Sequence, residues 1–465
     1  MNKVLVAPWG NPFQWKPATY EINGELIKSR STLPALIREL KPNSVFVVVL
    51  DTLVNMYVCN NFDKETRKCL EKWPDQNDVP TKNVSTYTEV ASDIRSRVEW
   101  FLWKLVEETK EEEYSQELEK MINNKQIKII IAPGIGTHSN PPLNNVTVSI
   151  SGDCTVLDYY YYIVYELSKL LPAGDLTVYL DLTHGINFMP VLTYRAVSNL
   201  LSLGSYAWNV KFKVFNAEPY SQGVNLKIHK VEDATVKPKP QYFVVSGHSD
   251  WNAFISSIVN GFPLVFATFF PDSLKVKQHA DYIYEEFCKT IKVSSELNDN
   301  SIKVEIRRNM LPEDLHSTAL LYYLIRVMNA KFGEIYPKDK EEFTLYELEN
   351  ISKLFDSIPA IGWRVKKDIE NIKKLKYIHS NWDNLGKLRR GKNWKKFEKI
   401  CGPGETQKTN QCIEVRNFIA HSGFDDNIVQ LRKINSNIYI RYDPNLRDVV
   451  LELAVKSLEG DSVGE

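Results

Sequence analysis

The run Arg416-Asn417-Phe418-Ile419-Ala420-His421 puts a guanidinium, an amide and an imidazole within six residues. Arginine is a permanently charged fork that clamps a phosphate through two hydrogen bonds. Histidine titrates near neutral pH and can take or give a proton. The pair suits chemistry at a phosphate that needs proton transfer and charge stabilisation. On a helix Asn417 and His421 are four apart and share a face, so the amide can fix the imidazole tautomer. Arg416 lies about 140° round from His421, so one helix does not aim both at one atom. Two copies facing across a two-fold axis would supply both groups to one cleft, which makes a homodimer the expected form. Gly423 is expected just past the helix end, leaving His421 in the last turn, where the negative end of the helix dipole favours imidazolium. The plainer reading is a helix-terminal histidine satisfying orphan carbonyls beside a surface arginine.

A second set of candidates lies in the first half, in three loops that each follow an apolar run. Gly10 and Asn11 come after the first, Gly134, Gly136 and Thr137 after the third, and Asp181, Thr183, His184, Gly185 and Asn187 after the fifth. Thr183 to Asn187 offer hydroxyl, imidazole, amide and backbone N–H groups where a strand hands over to a helix, a place that binds phosphate or nucleotide edges. An N-cap built by Thr183 with Asp181 beside it explains the same residues without a ligand. Gly134-Ile135-Gly136 is half of a dinucleotide fingerprint, with no third glycine and no acidic ribose clamp, which argues against a dehydrogenase. No HxH, HExxH or paired-carboxylate pattern suggests a metal, so no metal ligand and no cofactor is expected.

The elements that would carry these groups follow from periodicity. Continuous β-branched or aromatic runs at 4–7, 45–50, 127–132, 146–150, 178–182 and 210–215 read as strands buried on both faces, with helices at 33–40, 93–122, 156–171 and 186–203 between them. That is a doubly wound, Rossmann-like, mainly parallel sheet, whose ligands collect beyond the carboxyl ends of the strands. Residues 216–241 look like a connector, and beyond them helical segments dominate, with a possible hairpin at 429–442. The chain of 465 residues is too long for one core. The division expected is 1–220, a linker at 221–245 and 246–465.

Basic and acidic side chains balance at 58 each, so no global charge announces nucleic acid and any such partner needs a local patch. One candidate is 364–399, with thirteen Lys or Arg against four acidic residues and with Trp363, Tyr377, Trp382 and Trp394 interleaved or adjacent. It reads equally as an RNA track and as solvated helix faces. Six cysteines without a CxxC pair read as reduced thiols. No stretch approaches about 18 uninterrupted apolar residues, so a soluble, cytoplasmic protein without a membrane partner is expected.

A Rossmann-like half followed by a helical half with RNFIAH at 416–421 resembles the CARF-HEPN ancillary ribonucleases of type III CRISPR systems. The loop 181–187 and the segment 252–270 (NAFISSIVNGFPLVFATFF) are similar to parts of that family too. The resemblance implies an N-terminal CARF domain and a C-terminal helical HEPN domain, with an insertion around 311–400. It implies a homodimer, or an oligomer of dimers, that binds a cyclic oligoadenylate of four or six adenosines and then cuts single-stranded RNA. By resemblance His421 moves protons around the 2′-hydroxyl, Arg416 holds the scissile phosphate and Asn417 orients them, leaving a 2′,3′-cyclic phosphate and a 5′-hydroxyl without a metal. The competing expectation is a ligand-sensing regulator whose helical half binds DNA or protein and whose Arg–His pair is incidental.

Overall fold

The structure, a computed structural model, describes residues 1–56, 83–109, 113–139, 146–298, 301–333, 340–391, 394–402, 405 and 412–459. The chain divides into two compact units, one of residues 1–201, 208–236 and 280–320, the other of 202–207, 237–279 and 321–465.

The first unit is organised on an eight-stranded sheet in the order 25–29, 18–22, 225–235, 210–217, 176–181, 2–8, 44–50 and 127–132. Its last five strands, from Val210–Ala217 to Ile127–Ala132, run parallel. Their centre is the continuous apolar sequence the parallel arrangement requires: Val45 to Leu50 and Val4 to Ala7 are all buried. Helices Leu33–Leu40, Tyr87–Glu108, Val156–Leu170 and Met189–Gly204 connect these strands. The helix expected over 93–122 is two, Tyr87–Glu108 and Glu113–Asn123. The first begins earlier than expected because Thr86 and Glu89 form a reciprocal capping box there.

Two expectations are corrected. The centre of the segment read as a connector and linker is strand Asn225–Thr235, antiparallel to Val210–Ala217 and parallel to Ala18–Ile22. It is exposed along one side, so it lacks the doubly buried run that marks its neighbours. Strand Val146–Gly152 does not join the large sheet. It pairs with Ser301–Arg308 in a four-stranded sheet completed by Lys292–Asn298 and Thr137–Ser139. Its sequence VTVSISG alternates buried and half-buried residues, the pattern of a strand with one wet face.

The second unit is mainly helical. Its interior is built by Ser249–Asn260, Pro263–Thr268, Leu345–Ser352, Pro359–Lys373, Val415–Ala420 and Arg447–Glu459. Gly261, at φ 69°, ends the first of these in the left-handed region, and Pro263 opens the next. The expected hairpin is present as Val429–Ile434 and Asn437–Tyr442. From the span expected as an insertion, Leu348, Ile351, Val365, Ile369 and Ile372 are all buried, part of the hydrophobic interior.

Cys401 and Cys412 form a disulfide, which corrects the expectation of six reduced thiols. The backbone brings them together through the bridge between Ile400 and Ile413 and the bond from the Cys401 N–H to the Ile413 carbonyl at 2.9 Å. Cys154 and Cys288 are free thiols, and Cys59 and Cys69 lie outside the described residues. No described helix is long and apolar enough to cross a membrane.

Candidate functional site

The Arg416 to His421 run forms a single short helix, Val415–Ala420, capped by His421. Phe418 anchors it: the side chain is buried against Phe262, edge to face at 4.9 Å. The helix ends in a Schellman arrangement, with the Gly423 N–H on the Phe418 carbonyl at 2.9 Å and the Ser422 N–H on that of Ile419 at 3.1 Å. Ser422, at φ 51°, and not Gly423 takes the first left-handed position. Gly423 follows at φ 79°, where a Cβ would stand 3.1 Å from the Tyr442 hydroxyl oxygen and 3.3 Å from Phe262 Cβ. That turn leaves His421 half-exposed and Arg416 exposed. The backbone of Asn417 contributes by accepting the His421 N–H at 3.0 Å.

What faces the imidazole is a residue the spacing argument did not find. Asp368, on helix Pro359–Lys373, is 5 % exposed, and its Oδ1 lies 3.6 Å from His421 Nδ1. That distance is an ion pair just outside hydrogen-bonding reach. Asp368 raises the histidine above its ordinary pKa; partial burial and Arg389 oppose this, and Asp426 adds to it. Asp426 is itself held by Arg389 at 2.8 Å and Arg390 at 2.9 Å. Asp368 carries a legible signal in retrospect, because it is the carboxylate on an otherwise apolar stripe of Val365, Ile369 and Ile372.

In the first unit the three loops all follow carboxyl ends of strands, but their contacts fall into two groups. Gly10 donates its N–H to the His184 carbonyl at 2.8 Å, and a Cβ there would stand 2.6 Å from Ile186. The His184 ring stacks on Trp15 at 4.0 Å, and its Nε2 accepts the Thr32 N–H at 3.2 Å. Asp181, almost wholly buried, accepts from the hydroxyls of Thr32 at 2.5 Å and Thr183 at 2.6 Å. Burial lowers the His184 pKa to about 4, with Asp181 pulling the other way, so the ring is neutral and serves as an acceptor for the backbone. Asn11 turns its carboxamide to the Phe13 N–H at 3.1 Å, capping a short helical turn. Gly185 packs on Pro190, while Asn187 is exposed at φ 49°.

The loop 133–137 joins a different cluster. The Gly134 N–H donates to Asp51 at 2.8 Å, and the fully buried Arg308 pairs with Asp51 and donates to the Gly134 carbonyl. Gly136 has open space around it, and the Thr137 hydroxyl meets Ser149 at 3.3 Å. Thus Gly10, Asp181, Thr183 and His184 share one constellation, and Gly134, Gly136 and Thr137 stand apart from it.

The basic span 364–399 is partly neutralised by Lys366–Asp356, Lys373–Glu349, Lys387–Asp383 and Lys396–Asp443. Trp382 is covered by Arg432 at 4.7 Å and Arg441 at 4.1 Å, and Trp394 packs on Gly386. Trp363, with Lys367 over its ring at 4.7 Å, and Tyr377 remain open to solvent.

Against known proteins, residues 4–219 match the family model described as CRISPR system endoribonuclease Csx1, CARF domain, and residues 359–445 match its HEPN domain. The second match takes in both the Asp368 helix and the Arg416 to His421 run. The chain is similar to the CRISPR system endoribonuclease Csx1 of Methanocaldococcus jannaschii, 29% identical over 93% of this chain and 87% of that one. A likeness to Enterococcus italicus Csm6 bound to cyclic hexa-2'-fluoro-hexa-dAMP covers 98% of this chain and 92% of that chain, at 11% identity and a TM-score of 0.22. A superposition that loose carries no argument about fold or ligand. The two matched domains, in this order and on the two units described, together with a full-length relative, mean that the chain belongs to the CARF-HEPN family of CRISPR-system endoribonucleases.

Proposed function

We propose that the protein is a homodimeric, cytoplasmic ribonuclease that cuts single-stranded RNA without a metal when its CARF unit binds a cyclic oligoadenylate of four or six adenosines. The observation that carries the reading is His421: a half-exposed imidazole at the end of the Arg416 helix, charged more readily than an ordinary histidine because Asp368 lies 3.6 Å from its Nδ1. Arg416 clamps the scissile phosphate, His421 moves protons, and Asn417 keeps the helix end in register. The RNA 2′-oxygen attacks phosphorus, the bond to the 5′-oxygen breaks, and a 2′,3′-cyclic phosphate and a 5′-hydroxyl result. All of this is proton transfer and charge stabilisation. Gly10, Asn11, Thr183, Gly185 and Asn187 form one part of the proposed ligand edge, braced from within by Asp181 and His184, and Gly134, Gly136 and Thr137 form a separate part braced by Asp51 and Arg308.

The test is incubation of the whole protein with a fluorescent single-stranded RNA in EDTA, alone, with cyclic tetra-adenylate and with cyclic hexa-adenylate. Ligand-stimulated cutting with cyclic-phosphate ends supports the reading. Tight ligand binding with intact RNA in every lane contradicts it.

A further inference from the structure

Among the described residues Asp368 makes the ion pair with the His421 ring, and it comes from 53 positions earlier in the chain. It is buried on a helix face otherwise made of Val365, Ile369 and Ile372, an expensive place for a charge. Its Oδ1 meets His421, and its Oδ2 accepts no hydrogen bond among the described residues. Arg364, one turn earlier on the same helix, gives a guanidinium N–H to the Asn260 carbonyl and leaves its Nε without a hydrogen-bond partner among those residues. Asp368 favours the charge of the partly buried Arg364, but with Oδ2 accepting no hydrogen bond that role leaves its hydrogen-bonding capacity largely unused.

We propose that Asp368 is a positioning residue for RNA cleavage: it holds Nδ1 of His421 and turns Nε2 toward the substrate, committing the histidine to act as the general acid. This rests on the ribonuclease reading above. With Nδ1 on the carboxylate, the opposite ring nitrogen is the one left for RNA. As the 2′-oxygen bonds to phosphorus, its proton passes to solvent and the phosphorus–O5′ bond breaks. O5′ takes the Nε2 proton. The neutral imidazole then keeps its Nδ1 proton against Asp368 and regains the other from water. The groups facing the ring act in the same frame: Asp368 and Asp426 favour imidazolium, Arg389 from helix Leu385–Arg390 opposes it, and the buried Asp425 lies close enough for His421 to stabilise its charge.

The experiment follows the His421 ring proton by NMR across pH in full-length protein carrying labelled histidine, the signal assigned with His421→Ala. The same proteins are then assayed for ligand-triggered RNA cutting across pH. In the unaltered protein His421 titrates above an ordinary histidine. In Asp368→Asn its titration and the alkaline limb of kcat both move to lower pH, and kcat falls about ten- to a hundred-fold with KM unchanged. A His421 that titrates below the ordinary value in the unaltered protein overturns the proposal, even if the variant fails to fold. So does a folded Asp368→Asn with an unmoved titration. A shifted titration in a protein that cuts no RNA would instead leave the pairing standing and sink the ribonuclease reading.

Discussion

His184 and His421 occupy comparable places in the sequence, each beside a turn at the end of an element, and the fold treats them in opposite ways. His184 is stacked on Trp15 and accepts a backbone N–H, and burial drives its pKa down to about 4. His421 is left half in solvent with a carboxylate at 3.6 Å, and its pKa is driven up. One ring is a fixed neutral acceptor that braces a loop; the other, charged more readily than an ordinary histidine, is the one proposed to move protons. The difference lies in the neighbours each chain turn recruits. An aromatic floor excludes water around the first, while a charged residue from another helix compensates the second.

The largest effect expected is on catalysis. His421→Ala should lower RNA cutting by at least about 10²-fold with ligand binding intact, and Arg416→Lys should lose much of the activity because an ammonium cannot reproduce the bidentate clamp. Measured rates with saturating activator check both. Next comes the second buried cluster of the first unit. Arg308→Ala leaves Asp51 charged and unpaired in the interior, and should cost about 3–5 kcal/mol in denaturant unfolding, whereas Arg308→Met with Asp51→Leu should recover most of that loss.

Protonation separates the two histidines by sign. His184 has a lowered folded pKa, so its contribution is whole above pH 6.5 and is lost as pH falls toward 4, on the order of 2–3 kcal/mol in all. His184→Phe should flatten that acid slope. His421 has a raised folded pKa, so its contribution is whole below the ordinary value and fades as pH rises through the raised one. Melting curves across pH on each variant read the two slopes. A comparable effect is expected at the disulfide: reducing Cys401–Cys412 removes a cross-link just before helix Val415–Ala420 and should lower stability by about 2–3 kcal/mol, read as a fall in melting temperature.

Much of this was legible beforehand where one physical signal dominates. Val45 to Leu50 could be little other than a doubly buried strand, and the alternating run at 429–442 offered a hairpin, which the structure forms around the turn after Ile434. Strand Asn225–Thr235 was hidden because its exposed side is rich in charge and reads as loop, and the separate sheet was hidden because strand alternation does not name its partner. At the site, Arg416, Asn417 and His421 stood out by spacing. Asp368 did not, since pairing across 53 residues is set by how two helices pack, although a carboxylate on an apolar stripe was a visible clue. The three loops were correctly read as lying at strand ends. That His184 faces inward depends on Trp15 and Thr32, whose meeting with it is tertiary.

The most direct test sets the two histidines side by side: cutting of single-stranded RNA in EDTA at rising concentrations of cyclic oligoadenylate by His421→Ala and by His184→Phe. Loss of cutting in the first at every activator concentration, with cutting in the second restored by raising the activator concentration, is the predicted result. Cutting that survives in His421→Ala would contradict the account at its centre.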